Sequence, residues 1–100
     1  MEHYKVKILP KAQEDMAGIV EYLNTLSAEV ALSYYDLLIE KISSLSELPE
    51  RCPLARDAQL RLRGYRVLVV KKYLVFFVII GDTVQIRRVI YGRRQYDWLL

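Results

Sequence analysis

The sequence closes on YGRRQYDWLL, residues 91–100, directly after its most apolar stretches. Gly92 ends the strand pattern and frees Arg93, Arg94 and Tyr96 from sheet hydrogen bonding, so that they can reach back over a neighbouring surface. A guanidinium is always charged and holds two phosphate oxygens at once as a planar fork, so arginines in this position suit an anion. Earlier segments add cations: Arg61 and Arg63 in a loop, Arg66 at a strand start, Lys71-Lys72 at a turn and Arg87 on the last strand. Tyr91 and Tyr96 can exchange a proton or stack on a base. A phenol is a poor base at its ordinary pKa of about 10, but clustered arginines favour the phenolate.

Other chemistries are poorly served. Cys52 is the only cysteine and His3 the only histidine, which leaves too few soft ligands for a zinc or iron site and no Ser-His-Asp set. No glycine-rich phosphate loop or placeable pair of carboxylates occurs. No cofactor and no metal are expected. Cys52, within LPERCPLAR, reads as a small loop residue rather than a nucleophile.

The chain has 100 residues, 53% hydrophobic and 27% charged, which fits one domain over 1–100 with a single modest core. The start MEHYKVKILPKAQED has no signal-peptide pattern, and the run Tyr73 to Ile80 is too short to cross a bilayer as a helix. A cytoplasmic protein without a membrane partner is expected. Net charge is +3, yet residues 1–50 hold four lysines against nine acids, a net of −5. Residues 51–100 hold eleven Lys/Arg against three Asp, a net of +8. Such a split points to an anionic partner, a nucleic acid or an acidic protein, for the C-terminal half. The competing explanation is arginines that only solvate strand edges.

The elements that must position these residues are legible from periodicity. HYKVKIL alternates as a half-buried strand. KAQEDMAGIVEYLNTL places Ala12, Met16, Ile19, Leu23 and Leu26 on one helix face, with Pro10 in the first turn and Glu14 and Asp15 near the positive end of the dipole. Gly18 inside that helix suggests a close packing contact. Ser27 can cap a second helix whose face is Ala31, Tyr35, Leu38, Ile42 and Leu45, ended by Pro49. Residues 47–64 read as an ordered basic loop. Strands over 65–70, 73–80 and 84–91 follow, joined by turns short enough to force antiparallel hairpins. On the last strand Val84, Ile86, Arg88 and Ile90 should share one side, and Gln85, Arg87, Val89 and Tyr91 the other. The order β-α-α-β-β-β gives an α+β fold: a helical hairpin on one face of a largely antiparallel four-stranded sheet, with the opposite face open. Arg88 reads as a partly buried structural arginine, Tyr4, Tyr22, Tyr34 and Tyr35 as packing residues, and Trp98 with Leu99-Leu100 as a hydrophobic latch.

From ILPKAQED through SLSELPERCPL to GYRVLVVKKYLVFFVI and VIYGRRQYDWLL, the sequence resembles the RelE/ParE superfamily of bacterial type II toxins, particularly plasmid-stabilisation toxins. The resemblance spans nearly the whole chain and rests on the order and spacing of short pieces. It implies a small toxin neutralised by a co-expressed antitoxin protein. Endonuclease members are ribosome-dependent and cut messenger RNA without a metal, which inhibits translation; gyrase-directed members poison DNA gyrase and cut nothing. In the endonuclease case the resemblance assigns Arg66 and Arg94 to stabilising the phosphoryl oxygens during 2′-hydroxyl attack, with Tyr96 matching the C-terminal tyrosine. Arg61, Arg63, Lys71, Lys72, Arg87, Tyr91 and Arg93 would bind the nucleic acid. The ribosome and mRNA, or alternatively gyrase, are then the expected targets. At Leu68 and Leu74 that branch commonly has a lysine and an arginine. For Arg66 the competing role is an ion pair with a helix acid.

Overall fold

The structure is a computed structural model, and it describes residues 3–92. Its order is β1 (Lys5–Ile8), α1 (Pro10–Asn24), α2 (Ala28–Ser43), α3 (Ala58–Leu62), β2 (Arg66–Val70), β3 (Tyr73–Ile80) and β4 (Thr83–Tyr91), with 3-10 turns at Ser44–Ser46 and Pro49–Arg51. The sheet runs β1-β4-β3-β2. β1 pairs parallel to β4, while β2 with β3 and β3 with β4 are antiparallel. The expected α+β architecture is present, with one parallel pair.

Local chemistry sets the element ends. Pro10 opens α1, where a missing N–H costs nothing. Ser27 caps α2 by accepting from the Val30 amide at 3.3 Å, as its sequence predicts. Where α2 runs down, Arg51 Nη1 donates to the Glu47 carbonyl at 2.6 Å and Nη2 to Ser44 Oγ at 2.8 Å. One of the eleven C-terminal cations is thereby spent on a helix end. Tight strand connections follow: Lys71 takes φ +56° and Gly81 φ +60°. The left-handed conformation costs glycine nothing and the lysine about 1 kcal/mol.

The main core lies between the helical hairpin and one face of the sheet. Ala12, Leu38, Leu45, Val75, Phe77, Val84 and Ile86 are fully buried there. Two expected face residues do not join it, since Leu26 and Tyr35 are exposed and Tyr34 packs in the place read for Tyr35. Gly18 also departs from expectation: a Cβ there would meet nothing within 4 Å, so its missing side chain leaves open space rather than a tight contact.

The opposite sheet face is not bare. A second cluster of Ala55, Leu60, Tyr65, Phe76, Val78 and Ile90 forms under residues 53–65. The segment read as loop contains α3, whose N-cap Asp57 accepts from the Leu60 amide at 3.0 Å. It is fastened to the edge of β2 by the Leu54–Arg66 bridge, the Ala55 amide on the Tyr65 carbonyl and the Val67 amide on the Pro53 carbonyl. A free sheet edge is thereby covered.

Candidate functional site

A β-bulge decides where the β4 side chains go. The β3–β4 register shifts between Phe76 and Phe77: Phe77 faces Ile86, whereas Phe76 faces Arg88, so Arg87 is the extra residue. Strict alternation therefore ends at Ile86. Val84 and Ile86 belong to the helix-side core, and so do Val89 and, partly buried, Tyr91; Ile90 belongs to the far-side cluster. The expected grouping of Ile90 with Ile86, and of Val89 and Tyr91 with Gln85, is reversed by that one residue.

Arg88 is structural, as read. Its Nε donates to Asp15 Oδ2 at 2.6 Å and its Nη2 to Oδ1 at 3.0 Å, a bidentate pair in which the two side chains are only 15% and 13% exposed. The Val89 amide also donates to Asp15 Oδ2, at 2.9 Å. β1 pairing stops at Ile86, so Asp15 satisfies a β4 amide beyond the end of its neighbour strand. Asp15 lies outside the first turn of α1, and it serves this contact rather than the helix dipole expected from sequence. No local signal reveals a pairing 73 residues apart in sequence.

Arg66 points to the helix side, because its neighbours Tyr65 and Val67 lie with the far-side cluster. Its Nη1 donates to the Cys52 carbonyl at 2.7 Å and the Glu50 carbonyl at 3.3 Å. It pairs with main-chain carbonyls, not with a helix acid. Cys52 beside it is buried in the main core, and that burial raises its thiol pKa in spite of Arg51 and Arg66 nearby. A thiol so held is unreactive.

Arg87 lies with Gln85 on the far side: its Nε and Nη2 donate to Gln85 Oε1 at 3.2 and 2.8 Å. Arg61 and Arg63 are exposed on and just after α3, which packs over the far-side cluster. Lys71 and Lys72 are exposed at the β2–β3 turn, with the Gly92 amide on the Lys72 carbonyl at 2.8 Å. Arg66 pairs with Phe77, midway along β3, and Tyr91 with Tyr73 at its start, so Arg66 and Tyr91 stand about 17 Å apart by strand spacing. The described residues thus divide the expected site between the two faces of the sheet. Arg93, Arg94 and Tyr96, and the latch of Trp98 with Leu99-Leu100, lie outside the described residues.

A groove of about 790 Å³ lies where α1 meets the end of β4, lined by Gly18, Tyr22, Tyr34, Lys72, Tyr73 and Tyr91 among others. Tyr34 meets Tyr73, and Tyr73 meets Tyr91, edge to face with centroids 5.9 Å apart in both cases. Burial raises the Tyr73 pKa, with Tyr34, Tyr22 and Tyr91 adding to it, so its phenol stays protonated. Sequence reading selected Lys72 and Tyr91 but not the groove, because Gly18 and the tyrosines meet only through tertiary packing. Among the described residues no group of three or more His, Cys, Asp or Glu could hold a metal ion, and no helix is long and apolar enough to cross a membrane.

A helical hairpin packed on a four-stranded sheet, with basic loops, is the architecture expected from the sequence resemblance. Residues 6–96 match the family described as ParE toxin of type II toxin-antitoxin system, parDE. The chain belongs to that ParE toxin family, within the wider RelE/ParE group. A solved chain of the chromosomal ParDE TA system from P. aeruginosa is similar with a TM-score of 0.77 and 20% identity, over 89% of this chain and 96% of that one. A chain of the toxin-antitoxin complex RelBE2 from Mycobacterium tuberculosis is similar with a TM-score of 0.58 and 24% identity, over 91% and 93%. Among curated proteins nothing matches significantly.

Proposed function

We propose that this toxin arrests growth by binding, as a gyrase-directed inhibitor neutralised by a co-expressed antitoxin, rather than by cutting RNA. The observation that carries this reading is the placement of Arg66. Metal-free cleavage needs cations converging on the phosphoryl oxygens. The Arg66 guanidinium is instead bonded to the Cys52 and Glu50 carbonyls on the helix side. Leu68 and Leu74, where the endonuclease branch resembled by the sequence offers further cations, pack partly buried against the two clusters. The endonuclease reading, with Arg66, Arg94 and Tyr96 as its catalytic set, takes second place for that reason.

For the antitoxin, the helical layer offers apolar surface. Tyr22, Leu26 and Leu32 are each more than 60% exposed, and Tyr35 is exposed beside them. Exposed apolar side chains on that layer suit a protein partner. The solved relatives come from a ParDE system and a RelBE2 complex, which supports a paired antitoxin here.

The test is a DNA supercoiling assay with purified gyrase, run beside a translation extract read by primer extension. Loss of supercoiling at near-stoichiometric toxin, with uncut message, is expected. Toxin-dependent cuts on translated message with gyrase fully active would replace this reading by the endonuclease one.

A further inference from the structure

The parallel pairing of β1 with β4 brings together cations that the sequence keeps 80 residues apart. Val6 and Ile8 pack on the helix-side core, so the alternate residues Lys5 and Lys7 lie on the far side of β1, where both are exposed. Lys7 stands opposite Gln85 and Lys5 opposite Thr83. Gln85 faces the same way, since its neighbours Val84 and Ile86 are in the helix-side core and its partner Val78 is in the far-side cluster. The bulge then sets Arg87 on this side, with its fork on Gln85 Oε1. The result is a strip of Lys5, Lys7, Gln85 and Arg87 across two adjacent strands, with the lysines about 7 Å apart along β1.

The charges of this strip are little compensated. Gln85 fixes the Arg87 guanidinium through a neutral amide oxygen, which orients the fork without cancelling its charge. Among the described residues no ion pair involves Lys7 or Arg87. Lys5 approaches Asp82 at 3.8 Å, but both are more than 70% exposed, so water and salt weaken the pair.

We propose that this strip grips the phosphate backbone of duplex DNA. The inference deepens the gyrase reading, since gyrase holds a DNA duplex, and it rests on that reading for its biological setting. A single strand is normally held by bases stacked on exposed aromatic rings. The aromatics of the far-side cluster, Tyr65 and Phe76, are buried instead. An acidic protein would want an apolar centre within the contact, whereas Lys5, Lys7, Gln85 and Arg87 are polar and exposed Ile80 flanks only one end of the strip, across from Thr83. Backbone contact to a duplex needs only spaced cations.

The experiment follows anisotropy of a fluorescent 20-base-pair duplex as potassium chloride is raised. Each phosphate contact contributes roughly 0.9 to the slope of log K against log salt. The Lys5→Gln, Lys7→Gln double variant should lower that slope by about 2. The Lys11→Gln, Lys41→Gln variant makes the same change in net charge on exposed helix positions and should keep the parent slope. Thermal melts establish that both variants are folded. An unchanged slope in the strip variant overturns the proposal, and so does an equal fall in both variants, which would reflect net charge alone. Tighter binding of the single strand, or of polyglutamate, overturns the choice of duplex DNA. Because no gyrase is present, these outcomes are read independently of the supercoiling result.

Discussion

On its helix side the sheet is dry: Val75, Phe77, Val84 and Ile86 are fully buried under two long helices, and the Arg88–Asp15 pair closes one margin. On its far side a smaller cluster sits under the short α3 and its loop, and exposed cations continue from it onto β1. The helix side thus supplies cohesion, while the far side, covered more thinly, is left with charge that water can reach. In so small a domain the architecture claims part of the charge: Asp15 neutralises Arg88, and carbonyl and hydroxyl oxygens fix where the Arg51 and Arg66 guanidiniums lie. The C-terminal excess of +8 therefore overstates the cationic surface available to a partner.

Adjacent residues of β3 give the strongest way to break this contrast. Phe77 and Phe76 are both essentially inaccessible but lie in different clusters. Phe77→Ala should cost about 4 kcal/mol, because packed helices cannot collapse into the cavity, and Phe76→Ala about 3, because a loop can. Urea titration measures both, and a larger cost at Phe76 would invert the proposed order of the faces.

Next in size is the margin. Asp15→Ala leaves the Arg88 charge and the Val89 amide without their carboxylate and should cost about 3 kcal/mol, near the low end for a broken buried pair. Combining Asp15→Leu with Arg88→Met should recover part of that loss by restoring apolar packing. If the single variant melts with the parent, the pair contributes nothing to the helix side.

On the far side, Asp57→Ala removes the α3 cap at a cost of about 1 kcal/mol. Hydrogen exchange should quicken at Leu60 while β3 amides keep their relative protection. The smallest expected effect is alkaline. Cys52 and Tyr73 have raised pKa values, so the folded state favours their neutral forms. Their contribution is whole below the unfolded thiol pKa of about 8.5 and declines as pH rises past it, because the unfolded chain ionises first. Melts between pH 8 and 10.5 should show the decline, and Cys52→Ala should flatten its lower part.

Periodicity revealed the hairpin, the Ser27 cap and the three C-terminal strands, because each depends on neighbours within a few residues. Leu26 and Tyr35 misled for a related reason: apolar spacing marks a helix face but not where the opposing layer ends. The bulge at Arg87 leaves no mark in an apolar-polar pattern, so that pattern assigns Val89, Ile90 and Tyr91 to the wrong faces. Lys5 and Lys7 were visible as the polar side of a strand. Their placement beside Gln85 depends on a parallel pairing across the whole chain, which no local pattern encodes. α3 was hidden in a five-residue helix, too short for periodicity to declare.

The proposed function makes Arg66 part of the architecture and not of the chemistry. It is tested most directly by Arg66→Gln, measured for thermal stability and for growth arrest on induction without antitoxin at a temperature where the variant is folded. Loss of the charged donor to the Cys52 and Glu50 carbonyls should cost about 2 kcal/mol, a fall in Tm of roughly 8 to 16 °C, with growth arrest kept per folded molecule. An unchanged Tm together with lost growth arrest would return Arg66 to a functional site.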